Sequence, residues 1–261
     1  MDILTKIVND KRVEVRLRKQ LIPSKQLEQS ILFERKTISL ANRLQESNTG
    51  IIAEHKRRSP SKQIINNDLN VYDIAKGYDA ANACGMSVLT DGKYFGGSLD
   101  DLLTARASCN LPLLRKEFII DTYQILEAKA YGADVILLIA AILTKAEIKQ
   151  FSELAHQLDL NVILEVHNAQ ELHNSIMPSI DIIGVNNRNL KTFKVSLETS
   201  KQLSSLIPNE FVKISESGIS SIDAIKTLRP YGYKGFLIGE NFMKTTNPGE
   251  SATRFIKDLQ L

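Results

Sequence analysis

The stretch IIGVNNRN at residues 182–189 shows the pattern that decides the fold, because a short apolar run ends there in polar side chains. The same pattern occurs in IIAEHK (51–56), LPLLRKEF (111–118), VILEVH (162–167), VKISESG (212–218) and FLIGENF (236–242). Parallel strands that deliver polar groups at their C-terminal ends are how an α/β barrel builds an active site. The repeated pattern therefore predicts a barrel and the face that carries its chemistry.

Candidate strands rich in Val, Ile and Leu lie near 51–55, 86–90, 112–116, 135–139, 162–166, 182–185, 212–215 and 235–238. Helical patterns lie at 72–85, 98–108, 121–132, 144–158, 219–232 and 247–259, and the first of them is expected to end at Gly85. Strands that alternate with helices of this length indicate parallel βαβ units, and eight such units predict a (βα)8 TIM barrel of the α/β class. An open doubly wound sheet is the alternative, but no GxGxxG motif follows the first strand.

Residues 1–48 precede the first strand and predict a helical extension. We expect one domain over 1–261, with this extension followed by the barrel at 49–261. Residues 4–20 predict an amphipathic helix whose apolar positions fall only roughly on one face, namely Leu4, Ile7, Val8, Val13 and Val15. This helix either caps the barrel or covers the active-site mouth as a lid, and sequence alone favours the cap.

Composition narrows the class of protein. The chain has 261 residues, of which 43% are hydrophobic and 24% charged, enough for one sizeable core. A net charge of +3 gives no general case for a nucleic-acid partner. Cys84 and Cys109 are too few for a disulfide framework, and no signal peptide or membrane-spanning run is visible, so we expect a cytoplasmic protein without a membrane partner. The chain ends soon after the eighth unit, and we expect no second catalytic domain.

Acid–base groups collect at the predicted strand ends. Side chains i and i+2 of a strand share a face, so Glu54 and Lys56 point together while His55 points to the opposite side. Lys116 ends the third strand and is a solvated charge, a Schiff-base nucleophile or a general acid; burial would lower its pKa. Glu165 ends the fifth strand. The histidines are dispersed and no HxH or HExxH occurs, so we expect chemistry without a metal or a cofactor.

The later strand ends carry groups suited to oxygen-rich ligands. Asn186 and Arg188 share one face after the sixth strand. Gly218 and Gly239 follow the seventh and eighth strands, where many barrels bind phosphate through backbone N–H groups. The loop RRSPSKQ (57–63) is either a solvated basic loop or a lid that carries Ser59 and Lys62 to an anionic ligand.

At these residues the chain resembles the indole-3-glycerol phosphate synthase family of tryptophan biosynthesis. The resemblance covers nearly the whole chain and is carried by IIAEHKRRSPSK, SVLTDGKYFGGSLDDL, LPLLRKEFIID, GADVILLIAAIL, LEVHNAQEL, IIGVNNRNL, ISESGI and LIGENFMK. It implies a lyase that closes an indole ring on 1-(2-carboxyphenylamino)-1-deoxyribulose 5-phosphate and releases CO2 and water.

The resemblance also implies roles for single residues. Lys116 is expected to protonate the ribulose carbonyl, Glu165 to act in the later dehydration, and Lys56 to contact the substrate carboxylate, with Glu54 holding the lysines. The residues expected to orient or bind the substrate are Asn186, Arg188, Glu216, Ser217, Leu190, Ser59, Phe95, Phe118, Gly218, Gly239 and Glu240.

Two positions depart from the family pattern. Gln63 stands where the family commonly has Gly, and Glu240 where many members have a small residue. A carboxylate repels phosphate, so we expect the Glu240 side chain to turn away while its N–H faces the ligand. The rival functions are a Schiff-base aldolase or sugar-phosphate isomerase, and an inactive barrel that only binds a phosphorylated metabolite. We expect a monomer or a weak homodimer.

Overall fold

A computed structural model describes residues 3–190 and 192–260, and its centre is a closed barrel of eight parallel strands in chain order. The strands are β1 (Ile51–His55), β2 (Gly85–Leu89), β3 (Leu113–Lys116), β4 (Val135–Ile139), β5 (Asn161–Val166), β6 (Ile182–Asn186), β7 (Val212–Glu216) and β8 (Tyr233–Ile238). The barrel closes where β8 pairs with β1, with Phe236 opposite Ile51. The predicted TIM barrel is confirmed, and every predicted strand lies within two residues of its observed bounds.

Helices surround this barrel and precede it. Before β1 lie α1 (Ile3–Leu21), α2 (Ser24–Glu28) and α3 (Leu40–Glu46). The later helices are α4 (Val71–Ala80), α5 (Gly92–Phe95), α6 (Leu99–Ser108), α7 (Thr122–Ala130), α8 (Lys145–Gln157), α9 (Ala169–Ser175), α10 (Glu198–Ser204), α11 (Ile222–Leu228), α12 (Glu240–Met243) and α13 (Pro248–Gln260). Short 3-10 turns occupy Ala140–Ile142 and Arg229–Tyr231.

Local capping explains where several of these helices begin. The side chains of Ser98 and Asp121 accept hydrogen bonds from backbone N–H groups of α6 and α7, and Thr144 forms a capping box with Glu147 at α8. The predicted end of the first helix at Gly85 is wrong. Asn82 takes the left-handed conformation with φ 58°, which asparagine tolerates, so α4 ends before it and Gly85 begins β2.

Side chains of the strands alternate between two apolar layers. Ile52 of β1 belongs to a cluster inside the barrel, whereas Ile51 and Ala53 pack outward among residues of the helices. The same alternation turns Glu54 inward and His55 outward, and His55 is buried with 1% exposure. The predicted register of β1 is therefore confirmed.

The extension docks on the barrel through a buried lysine of α1. Lys11 has 1% exposure, and its Nζ lies 2.9 Å from Asp91 and 3.1 Å from Glu117. Val13, which we expected on the buried face, is half exposed, so that expectation is wrong and Lys11 lies on the buried side instead. Within the described parts of the chain, no helix is long and apolar enough to cross a membrane.

Candidate active site

A cavity of about 400 Å³ opens at the C-terminal ends of the strands. It brings together the residues to which the resemblance gave roles, whereas Lys62 of the 57–63 loop is not among the residues that line it. The residues brought together are Glu54, Lys56, Ser59, Phe95, Lys116, Phe118, Glu165, Asn186, Arg188, Leu190, Glu216, Ser217, Gly218, Gly239 and Glu240. Each strand end contributes at a different angle, so residues far apart in sequence meet around one space.

Lys116 is the central cation of this cavity. Its Nζ contacts the carboxylate of Glu216 and lies 3.3 Å from Oε2 of Glu165. Burial lowers the pKa of Lys116, but the negative charges of Glu216, Glu165 and Glu54 outweigh burial and raise it above its ordinary value. Our expectation of a lowered pKa is wrong, because the site surrounds the ammonium with carboxylates as well as with apolar walls.

The pKa values of the two carboxylates beside Lys116 are shifted in opposite directions. For Glu165, burial raises the pKa, but Lys116, His167 and a hydrogen bond from Asn186 outweigh it, and the pKa falls below its usual value. For Glu216, burial and the charge of Glu165 dominate over Lys116 and raise the pKa to about 7. Neighbouring carboxylates pushed apart in this way can serve as a base and as a proton reservoir near neutral pH.

Glu54 and Lys56 form the second ion pair, with Lys56 Nζ 2.6 Å from Glu54 Oε1. The Glu54 carboxylate occupies the space in front of Gly239, where the Cβ of any other residue would overlap Oε1. Gly184 in the same way leaves room for the Glu216 carboxylate. The need for glycine at 239 therefore includes close packing against Glu54, which the sequence did not reveal.

One wall of the cavity is apolar. The rings of Phe95 and Phe118 lie 5.9 Å apart between centroids. Ile3, Leu4 and Ile7 of α1 complete this wall. Our expectation that the helix only caps the barrel is wrong, since its first turns line the active-site mouth; the irregular apolar pattern of 4–20 gave no signal for this.

The loops after β7 and β8 form another side of the cavity. Ser217 and Gly218 both take positive φ angles, 64° and 78°, so the chain turns sharply after β7. Glycine adopts such a conformation without steric cost, which is one reason for its use here. Sequence reasoning missed Ser220, Asn241 and Lys244 on this side. Lys244 is the residue directly after α12. Its spacing from Gly239 was the feature of the sequence that could have pointed to it.

Charged groups also meet across the mouth. Lys62 Nζ lies 2.8 Å from Glu240 Oε1, and both side chains are about half exposed. This contact joins the 57–63 loop to the start of α12. The backbone N–H of Arg188 donates to Asn186 Oδ1 at 3.0 Å, which fixes the chain as it leaves β6.

Among the residues that the structure describes, no group of three or more His, Cys, Asp or Glu side chains could hold a metal ion.

Comparison with known proteins gives consistent results. The model of the indole-3-glycerol phosphate synthase family matches residues 4–256. A protein of that name from Bacteroides thetaiotaomicron is 48% identical over 259 residues, which cover 99% of both chains. Another from Polaromonas naphthalenivorans is 42% identical over 252 residues, covering 95% of this chain and 96% of the relative.

Solved structures show the same architecture at low sequence identity. A thiamine phosphate pyrophosphorylase from Pyrococcus furiosus superposes with a TM-score of 0.60 at 13% identity, covering 85% of this chain and 99% of the other. A native KDPGal structure superposes with a TM-score of 0.58 at 10% identity, covering 82% of this chain and 94% of the other. At these identities the likeness shows the barrel fold alone.

Proposed function

The chain belongs to the indole-3-glycerol phosphate synthase family, and from this premise we propose that the cavity converts 1-(2-carboxyphenylamino)-1-deoxyribulose 5-phosphate to indole-3-glycerol phosphate. The protein is a carboxy-lyase of tryptophan biosynthesis that acts on a phosphorylated small molecule. The observation that carries the assignment of roles is the central Lys116, held between Glu165 and Glu216 at the end of the barrel. The assignments below are our proposals.

Lys116 acts as the general acid of ring closure. The aromatic carbon that bears the substrate carboxylate attacks the ribulose carbonyl, a carbon–carbon bond forms, and Lys116 donates a proton to the carbonyl oxygen. A protonated lysine is needed at this moment, and the raised pKa of Lys116 supports that state. Loss of CO2 then returns the bonding electron pair to the ring and restores its aromaticity.

Dehydration completes the indole. Lys56 contacts the substrate carboxylate at the start and later donates a proton to the departing hydroxyl, which leaves as water. Glu165 removes a proton from the neighbouring carbon, so the double bond of the five-membered ring forms. The lowered pKa of Glu165 keeps the carboxylate ionised, which is the state in which it can accept a proton. Glu54 holds Lys56 in place through their 2.6 Å contact.

The remaining residues bind and orient the substrate. We assign the ring of the substrate to the wall of Phe95 and Phe118, together with Leu190. We assign the phosphate to Ser59, Gly218, Gly239 and the Glu240 amide. Asn186, Arg188, Glu216 and Ser217 orient the ribulose chain. The support is that all of these residues line one cavity that offers both apolar and polar groups.

The Schiff-base alternative has no supporting observation. A lysine that forms an imine must first lose its proton, and the carboxylates around Lys116 oppose that loss. Borohydride trapping of a substrate adduct on Lys116 would establish the alternative and remove the general-acid role.

The proposed function is tested by following indole fluorescence as indole-3-glycerol phosphate forms. Lys116→Met should lower kcat by roughly 100-fold or more, because general acid catalysis contributes about that much. The matched control is Lys234→Met, which changes an exposed lysine of β8 and should leave kcat unchanged. A Lys116→Met variant that folds normally and retains its kcat would overturn the assignment; an inactive wild-type protein would overturn the function itself.

The domain organisation, oligomeric state and cellular location of the protein are proposals as well. We propose that 1–261 folds as one domain, supported by the burial of Lys11 between α1 and the barrel rim. We propose a monomer or a weak homodimer, to be checked by sedimentation. We propose a cytoplasmic location, supported by two buried cysteines that are both free thiols.

A further inference from the structure

His167 lies directly behind Glu165 at the end of β5. Its side chain is 9% exposed, and its Nε2 lies 3.3 Å from Glu165 Oε1. Its Nδ1 lies 3.1 Å from Oε2 of Glu171 in the first turn of α9. The ring thus bridges a carboxylate of the cavity and a carboxylate outside it. The dispersed histidines gave no sign of this in the sequence.

Glu171 is itself held firmly. Its Oε2 also accepts the backbone N–H of His167 at 2.8 Å, and its Oε1 accepts from Asn168 Nδ2 at 2.7 Å. Asn168 is the N-cap of α9 and accepts the N–H of Glu171 in return. The start of α9 is therefore a rigid support, and a ring anchored to it has a fixed orientation.

We propose that His167 is a positioning residue that acts through Glu165: it holds the Glu165 carboxylate against Lys116 and keeps it ionised as a base. This inference rests on the proposed function and deepens it. It makes Glu165 one link in a chain of alternating charge, which runs from Glu171 through His167, Glu165 and Lys116 to Glu216.

The protonation state of His167 fits this position. The charged groups that face it are Glu165 and Glu216 from the barrel strands and Glu171 from α9. Burial lowers the pKa of His167, but the hydrogen bond that its ring donates to Glu171 and the attraction of Glu165 outweigh burial and raise the pKa above 6.5. A protonated imidazole carries a donor on each nitrogen: Nδ1 is hydrogen-bonded to Glu171, whereas Nε2 faces Glu165 at 3.3 Å as an ion pair without a hydrogen bond.

The charge on His167 has a consequence for Glu165. A cation next to a carboxylate favours its ionised form, and His167 follows Lys116 as a cause of the lowered pKa of Glu165. Loss of the imidazolium should raise the pKa of Glu165. As the pH is lowered, activity that needs an ionised Glu165 would then be lost at a higher pH than in the wild type. Loss of a residue that merely capped α9 would not shift this acid limb of the pH profile.

Two substitutions separate the two contacts of the ring. In His167→Gln the side-chain amide reaches the position of Nε2 and places a neutral donor beside Glu165. In His167→Asn the amide reaches only the position of Nδ1 and keeps the contact to Glu171. The matched control is His173→Gln, which changes an exposed histidine of the same helix as Glu171.

We expect His167→Asn to lower kcat by about tenfold or more with little change in KM, as loss of a supporting partner does elsewhere. His167→Gln should retain more of the kcat, and both should move the acid limb of the kcat profile to higher pH. Equal kcat losses in the two variants with an unmoved acid limb would overturn the proposal. So would an unchanged kcat in both while the wild type is active.

A third variant decides the question if both changes at 167 prevent folding. Glu171→Gln removes the negative charge behind His167, so the pKa of His167 should fall and kcat should decline at a lower alkaline pH than in the wild type. An unmoved alkaline limb in Glu171→Gln would overturn the inference. Wild-type protein inactive on the carboxyphenylamino substrate would instead show that the proposed function is wrong.

Discussion

Replacing Lys11 with Met should be among the most destabilising single changes in α1. The ammonium of Lys11 lies within 3.1 Å of both Asp91 and Glu117, whose side chains are 2% and 1% exposed. Water therefore cannot compensate these carboxylates when the lysine charge is lost. Breaking a buried pair by removing one partner costs about 3–5 kcal/mol. For a chain of this size, about 4 kcal/mol corresponds to a loss in Tm of roughly 8–16 °C.

The measurement is urea unfolding followed by circular dichroism, with the free energy of unfolding extrapolated to water. The matched control is Lys6→Met, an exposed lysine of the same helix, which should change the free energy by less than about 0.5 kcal/mol. Adding Asp91→Asn to Lys11→Met should restore part of the loss, since the carboxylate of Asp91 loses its ion pair with Lys11, whereas Glu117 still has Arg115 Nη2 at 3.7 Å. A Lys11→Met variant within about 1 kcal/mol of the control would refute the reasoning.

Three further outcomes are expected. Gly239→Ala should displace the Glu54 carboxylate and lower kcat/KM at least about tenfold with a near-normal Tm, whereas Gly92→Ala, with no contact nearer than 3.5 Å, should be silent in the same assay. Glu240→Gln should lower KM for the phosphorylated substrate, because a negative charge leaves the proposed phosphate site; a higher KM would contradict this. His55→Phe should leave kcat unchanged. The pKa of buried His55 is lowered from 6.5 to about 4, so wild-type stability should fall as the pH drops from 6.5 to 4, and unfolding experiments should find this fall absent in the variant.

Strand periodicity carried much of the prediction because a local rule links it to the structure. Side chains two apart share a face, and the carboxyl ends of parallel strands meet. Glu54 and Lys56 were paired correctly for the first reason, and Lys116 was brought to Glu165 for the second. Both inferences need only the order of residues along a strand.

The parts that the sequence could not predict depend on contacts between distant residues. The pattern of residues 4–20 gave no sign that Lys11 is buried, and only the folded chain supplies Asp91 and Glu117 as its partners. The pKa of Lys116 was predicted in the wrong direction because its carboxylate neighbours come from β5 and β7. Burial alone predicts a lower pKa for Lys116, but the negative charges of the carboxylates around it in the folded chain raise that pKa.

The charge balance of the cavity explains how Lys116 can be both firmly protonated and a proton donor. Four cationic side chains and five carboxylates are among the described residues that line the cavity, so these residues give no positive excess when all nine groups are ionised. An anionic substrate raises the pKa of nearby carboxyls, and Glu216, whose pKa is about 7, is the one poised to take up a proton. Once Glu216 is neutral, Lys116 loses the partner that it contacts most closely. We propose that this loss outweighs the charge of the substrate, which by itself raises the pKa of Lys116, and so makes the ammonium a stronger acid at the moment when the carbonyl requires a proton.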